Sequence, residues 1–192
     1  MRIVGITGTL GAGKGTVVEY LTQQKGFKHY SARGLLNEII DERGLPPGRD
    51  TMRELANQMR ADKGPAALIE ALFAKAVQVG SDAVIESVRT EGECVALRNS
   101  GTPFVLLAVD ADQQIRYDRA FGRGSETDDV SFEKFAEQER VEMHSTEPHE
   151  QNLGRCMELA DVKLTNDGTP SEFHAKIEEW LGAATQHGLA FI

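Results

Sequence analysis

Cysteine is scarce in this sequence. Cys94 and Cys156 are the only two among 192 residues, far apart, with no metal-type spacing and no paired histidine. Neither a zinc site nor a disulfide framework is therefore expected, and both read as structural, reduced thiols. No apolar run approaches the ~20 residues a membrane-spanning helix needs. Basic residues are outnumbered, 21 Lys and Arg against 30 Asp and Glu for a net charge of −9. A chain that coats DNA needs a basic surplus on some face, and the same balance argues against RNA, although it leaves room for a local basic pocket. The five histidines share no spacing and have no acidic orienting partner in sequence, which disfavours a Ser-His or Cys-His nucleophile. The amino terminus enters a strand pattern directly, without the longer apolar segment and cleavage site of a signal peptide, so a cytoplasmic location is expected.

What is present is globular in proportion: 40% hydrophobic, 27% charged and 19 glycines, enough for a single domain with several tight turns. Arg2 to Thr7 is a short β-branched run, and residues 14 to 25 follow with helical spacing through Val17, Val18 and Leu21. A brief strand at Phe27 to Tyr30 precedes helical patterns at about 32–43, 51–62 and 66–79, separated by glycine-proline breaks. Ala83 to Ile85 and Phe104 to Val109 are continuous apolar runs of the kind that parallel strands covered on both faces require, and Val162 to Thr165 is a weaker last strand. Helical stretches at about 91–99, 112–121, 131–145, 152–159 and 171–181 lie between and after them. Alternating strands and helices predict an α/β fold of three layers, α/β/α, around a doubly wound parallel sheet of about five strands.

The segment Gly8-Thr9-Leu10-Gly11-Ala12-Gly13-Lys14-Gly15-Thr16 has the spacing G-x-x-x-x-G-K between a predicted strand and a predicted helix. Its glycines let consecutive backbone N–H groups curl round a phosphate, Lys14 adds a point charge, and the helix beginning at Lys14 turns its positive end to the same anion. ATP is the expected ligand, with Lys14 bridging its β- and γ-phosphates. Ser or Thr usually follows the lysine to touch magnesium; here Gly15 stands there and Thr16 comes next, so Mg²⁺ should be held more through water and phosphate. Glu86, at the carboxyl end of an apolar strand, is placed to hold a magnesium-bound water or an acceptor hydroxyl, or is a plain strand-end carboxylate. Arg89, three residues on, would face the acceptor's anionic group, with Arg33 and Arg53 as further candidates for that pocket.

The form G-A-G-K-G-T resembles adenylate kinase and related nucleoside monophosphate kinases. Val84-Ile85-Glu86-Ser87-Val88-Arg89-Thr90 is similar to that superfamily's third strand, whose arginine meets the acceptor's phosphate. Arg116 to Arg123 is similar to the start of its lid, where Arg119 and Arg123 would clamp the transferring phosphoryl group. Arg140 resembles an arginine that returns toward the phosphates. The segments Arg53 to Gly64 and Ala160 to Gly168 are closer to proteins related to dephospho-CoA kinase. Asn166-Asp167-Gly168 is a candidate border for the adenine and equally an ordinary turn. The resemblance spans most of residues 1–182 and implies a helical acceptor-binding segment at about 31–79 and a lid at about 119–131, followed by a loosely held tail at 183–192. Two departures, Glu86 in place of aspartate and Ser31-Ala32-Arg33-Gly34 in place of a Gly-Asp pair, bear on the acceptor. The implied activity is transfer of the γ-phosphoryl of ATP to a nucleoside or deoxynucleoside monophosphate, by a monomer or homodimer. A ribose hydroxyl as acceptor, or a regulatory ATPase acting through a partner, are the alternatives; no Asn-Lys-x-Asp segment is present for a guanine switch.

Overall fold

The structure, a computed structural model, describes residues 1–122, 130–145 and 147–186. Along the chain run β1 (Ile3–Gly8), α1 (Lys14–Lys25), β2 (Lys28–Ser31), α2 (Ala32–Arg43), α3 (Arg49–Lys63), α4 (Ala67–Val79) and β3 (Ala83–Glu86). They are followed by α5 (Glu91–Arg98), β4 (Phe104–Asp110), α6 (Gln113–Phe121), α7 (Phe132–Met143), α8 (Leu153–Glu158), β5 (Val162–Thr165) and α9 (Pro170–Gln186). The strands form one parallel sheet in the order β2-β3-β1-β4-β5, with Ile6 opposite Glu86 and Gly8 opposite Val109.

All six residues of β1 are buried, as a central strand covered on both faces must be. Strand alternation divides its side chains between two layers. Val4 and Ile6 pack with Val84, Leu107 and Val109 under α1 and α9, through Val17, Leu21, Phe173 and Ile177. Ile3 packs on the other face with Ile85 and Leu106 under α4, α5 and α8, through Ile69, Leu72, Leu97 and both cysteines. Cys94 and Cys156 are free, buried thiols that meet within this layer; hydrogen bonding to Cys94 and burial push the Cys156 thiol far above its ordinary range. A third cluster, of Leu36, Ile40, Leu55, Ala56 and Leu68, holds α2, α3 and α4 together beside the sheet.

Three strands run one residue past their apolar runs, to Gly8, Glu86 and Asp110, because ladder hydrogen bonds belong to the backbone and not to side-chain polarity. Those polar ends lie at the carboxyl edge of the sheet. The last helix continues past Leu181 to Gln186. Among the described residues no helix is long and apolar enough to cross a membrane.

Candidate active site

The turn from β1 into α1 is a left-handed glycine loop, with Gly11 at φ 80° and Gly13 at φ 102°. Gly13 is the N-cap of α1 and supplies no side-chain cap, so the first-turn N–H groups have no such partner. A Cβ on Gly13 would lie 2.3 Å from Asn166 Nδ2, which itself donates to the Ala12 carbonyl at 2.9 Å. The loop is thus tied to the β5–α9 turn behind it. Lys14 Nζ folds back and donates to the carbonyls of Gly8 (3.0 Å) and Thr9 (2.7 Å), while the Thr9 hydroxyl donates to Asp110 Oδ1 at 2.6 Å.

A cleft of about 360 Å³ opens in front of this loop. Leu10, Gly11, Gly13, Lys14 and Gly15 line one side. Arg33, Arg53, Glu86 and Arg89, all expected at an acceptor site, are among the other lining residues. Arg53 pairs with the exposed Asp50 at 3.0 Å, and Arg33 lies exposed on α2. Arg89 Nη1 donates to Gln151 Oε1 at 2.6 Å and to Glu142 Oε2 at 3.3 Å. Directly after β3, Ser87 is held at φ 75°, a conformation that non-glycine residues rarely adopt and that marks local strain beside the cleft.

Glu86 accepts a hydrogen bond from His29 Nε2 at 3.0 Å across β2 and β3. Burial pushes its carboxyl up, but the His29 bond and the charges of Lys14, His29 and Arg89 together outweigh burial and hold it below its ordinary value. An ionised carboxylate beside the phosphate loop suits Mg²⁺, which takes one or two carboxylates together with waters and substrate phosphates. Among the described residues no group of three or more His, Cys, Asp and Glu is clustered as a metal site.

Several expected residues stand elsewhere. Ala12 is buried inside the loop, and Thr16 is half-buried in the first turn of α1, outside the cleft lining. Arg119 lies away from the cleft lining, where Nη1 donates to the Asn166 carbonyl at 2.8 Å and Nη2 to that of Gly168 at 3.4 Å, on the far side of the loop. Arg140 is exposed on α7 and does not reach the cleft; Glu142, two residues and about 200° further round the helix, does. Arg123, with the expected lid residues 123–129 and tail residues 187–192, falls outside the described residues.

Other groups were not legible as site residues. Arg60 lines the cleft yet is fully buried, its guanidinium 2.9 Å from Glu93. Glu93 also completes a capping box with Thr90 at the start of α5, which the Thr90-x-x-Glu93 spacing does signal. Arg116, buried under the phosphate loop, forks onto Glu139 of α7, and its Nε donates to the Ala111 carbonyl at 2.7 Å. Nothing local in the sequence announces these pairings or the His29–Glu86 contact.

A parallel sheet of this order, with a phosphate loop between its central strand and the next helix, defines a P-loop kinase fold. A gluconokinase from Sinorhizobium meliloti superposes with a TM-score of 0.60 at 15% identity, covering 97% of this chain and 94% of its own. A sugar kinase from Janibacter gives 0.52 at 17%, covering 95% of each. The chain belongs to the AAA domain family, whose model matches residues 4–145, and to the UPF0200 proteins. The UPF0200 protein of Pyrobaculum aerophilum is 32% identical over 136 residues, 70% of this chain and 74% of that protein. That of Methanoculleus marisnigri is 27% identical over 182 residues, 94% and 96% of the two chains.

Proposed function

We propose that the protein transfers the γ-phosphoryl group of ATP to a nucleoside or deoxynucleoside monophosphate. The observation that carries this is the shared cleft: one wall is a phosphate loop with Lys14, and the other presents Arg33, Arg53 and Arg89 to an anionic acceptor. Phosphoryl transfer asks little covalent chemistry of a protein; alignment and positive charge around the moving group lower the barrier.

ATP lies with its phosphates on the loop amides, and Lys14 exchanges the Gly8 and Thr9 carbonyls for the β- and γ-phosphate oxygens. Arg89, held by Gln151 and Glu142 in the free protein, turns to the acceptor phosphate as a bidentate donor. An oxygen of that phosphate forms the new bond to the γ-phosphorus as the bond to the β–γ bridging oxygen breaks, releasing ADP. Magnesium would be held through water by Glu86 and would supply charge neutralisation to the phosphates of ATP. Arg119 and Asn166, tied to each other behind the loop, border the adenine.

A second reading has one observation in its favour. Glu86 is kept ionised at the cleft and could accept the proton of a hydroxyl, as transfer to a ribose hydroxyl would require. The deciding experiment measures ADP formation from Mg-ATP with each common ribo- and deoxynucleoside monophosphate and with dephospho-CoA, beside Lys14→Ala. One strongly preferred monophosphate, lost in the variant, is the expected result. Preference for dephospho-CoA would move the assignment to the hydroxyl acceptor. Silence with ATP still bound would leave a regulatory ATPase.

A further inference from the structure

Helices α2, α3 and α4 bring Arg33 and Arg53 to the cleft together with an apolar group of Leu36, Met52, Ala56 and Leu68, and Arg60 also lines it. An apolar group of this kind favours a weakly hydrated part of a ligand, such as a planar base, over its phosphate. Arg60 differs from Arg53 and Arg89 in burial, their side chains being 34% and 28% exposed. Its side chain is 1% exposed and faces a carboxylate, Glu93, that is 0% exposed. Glu93 is itself fixed, because Oε2 accepts from the Arg89 amide at 2.6 Å and the Thr90 amide at 3.2 Å.

The pair cancels the charge of Arg60 and fixes its plane, so it offers directional donors and little net attraction for an anion. Nε donates to Glu93 Oε1 at 2.9 Å, Nη2 lies 2.9 Å from the same oxygen, and Nη1 makes one long contact of 3.5 Å to Asn57 Oδ1, a side chain outside the cleft lining. A guanidinium has five N–H groups and no acceptor; with Nε and Nη2 turned to Glu93 and Nη1 to Asn57, one N–H on each Nη remains for a ligand.

Resting on the assignment of a nucleotide acceptor, we propose that Arg60 selects its base, favouring one with an oxo group on the edge that faces the guanidinium over one with an amino group there. A 6-oxopurine presents O6 and N7, both acceptors, and uracil presents O4. Adenine and cytosine place an amino donor at the same point, donor against donor. A site that buries polar groups to match one edge rejects the edge that leaves them unpaired.

The test uses matched pairs that differ at that edge, inosine against adenosine monophosphate and uridine against cytidine monophosphate. Binding is measured by calorimetry on the full protein with Mg²⁺ and a non-hydrolysable ATP analogue. The oxo member of each pair is expected to bind roughly ten- to a hundred-fold more tightly. Arg60→Lys keeps a cation against Glu93 but loses the planar fork, and Arg60→Gln with Glu93→Gln removes both charges together. Either variant, shown folded by its melting curve, should reduce the preference to within a few-fold. Equal binding of adenosine and inosine monophosphate by the native protein overturns the proposal, as does a preference that survives in both variants, or no binding of any monophosphate. The two assignments fail separately: oxo-selective binding without ADP formation removes the kinase and keeps the selector, and turnover indifferent to the base does the reverse.

Discussion

At the scale of single residues, Gly13 carries the most demanding geometry. Its left-handed φ of 102° and the 2.3 Å approach of Asn166 Nδ2 leave no place for a methyl group. Gly13→Ala is expected to destabilise the fold by about 1–3 kcal/mol in denaturant titrations and to abolish ATP binding by calorimetry. Glu86 gives a pH signature. Its carboxyl titrates lower in the folded protein than the ordinary 4.5, so its contribution is present above about 4.5 and disappears as pH falls through the lower folded value. Denaturation midpoints followed from pH 7 downward should therefore fall more steeply for the native protein than for Glu86→Gln. His29→Ala should shift that fall to higher pH, since it removes a bond that holds the carboxyl ionised.

At the scale of elements, the phosphate loop depends on neighbours that bring no catalytic group. Arg116 of α6 lies under the loop and locks onto Glu139 of α7, with a side chain 5% exposed. Arg116→Ala leaves the partly buried Glu139 without its cationic partner, with Gln113 Nε2 still donating to it, takes the Arg116 Nε donor from the Ala111 carbonyl, and should cost about 3–5 kcal/mol by urea unfolding. Changing Glu139 to alanine in addition should cost less than the two single changes summed, because the pair is coupled. Thr90→Ala, which opens the capping box of α5, should cost about 1 kcal/mol. The spans of these elements follow from local pattern: apolar strand runs, helical periodicity and glycine breaks place β1, α1, α4 and β4 within a residue or two. The polar end of β4 was harder to read, since Asp110 belongs to it by backbone pairing alone, whereas Glu86 was legible as the residue that ends β3. The inward side of α7 was set by packing: Arg140 was the expected residue, and Glu142 lines the cleft instead.

For the whole molecule, ligand binding is the expected source of added stability. Mg-ATP at one hundred times its dissociation constant should raise the unfolding free energy by about 2.7 kcal/mol, seen as an upward shift of the melting curve, and Lys14→Ala should show little of it. The sequence by itself determined the α/β layering and the phosphate loop. Both are written in short-range patterns, a parallel strand being apolar throughout and a loop for phosphate needing its glycines at fixed spacing. It also offered Glu86 by its strand-end position, Arg89 by its place three residues on and by resemblance, and Arg33 and Arg53 by their place on the helical segment, and all four line the cleft. Only the tertiary structure decided which side chains close the cleft. Arg60 meets Glu93 33 residues on, Arg89 meets Gln151 62 residues on, and His29 meets Glu86 57 residues on. The strand order that brings such pairs together is set by how all the apolar faces are buried at once, and no local window of sequence contains that information.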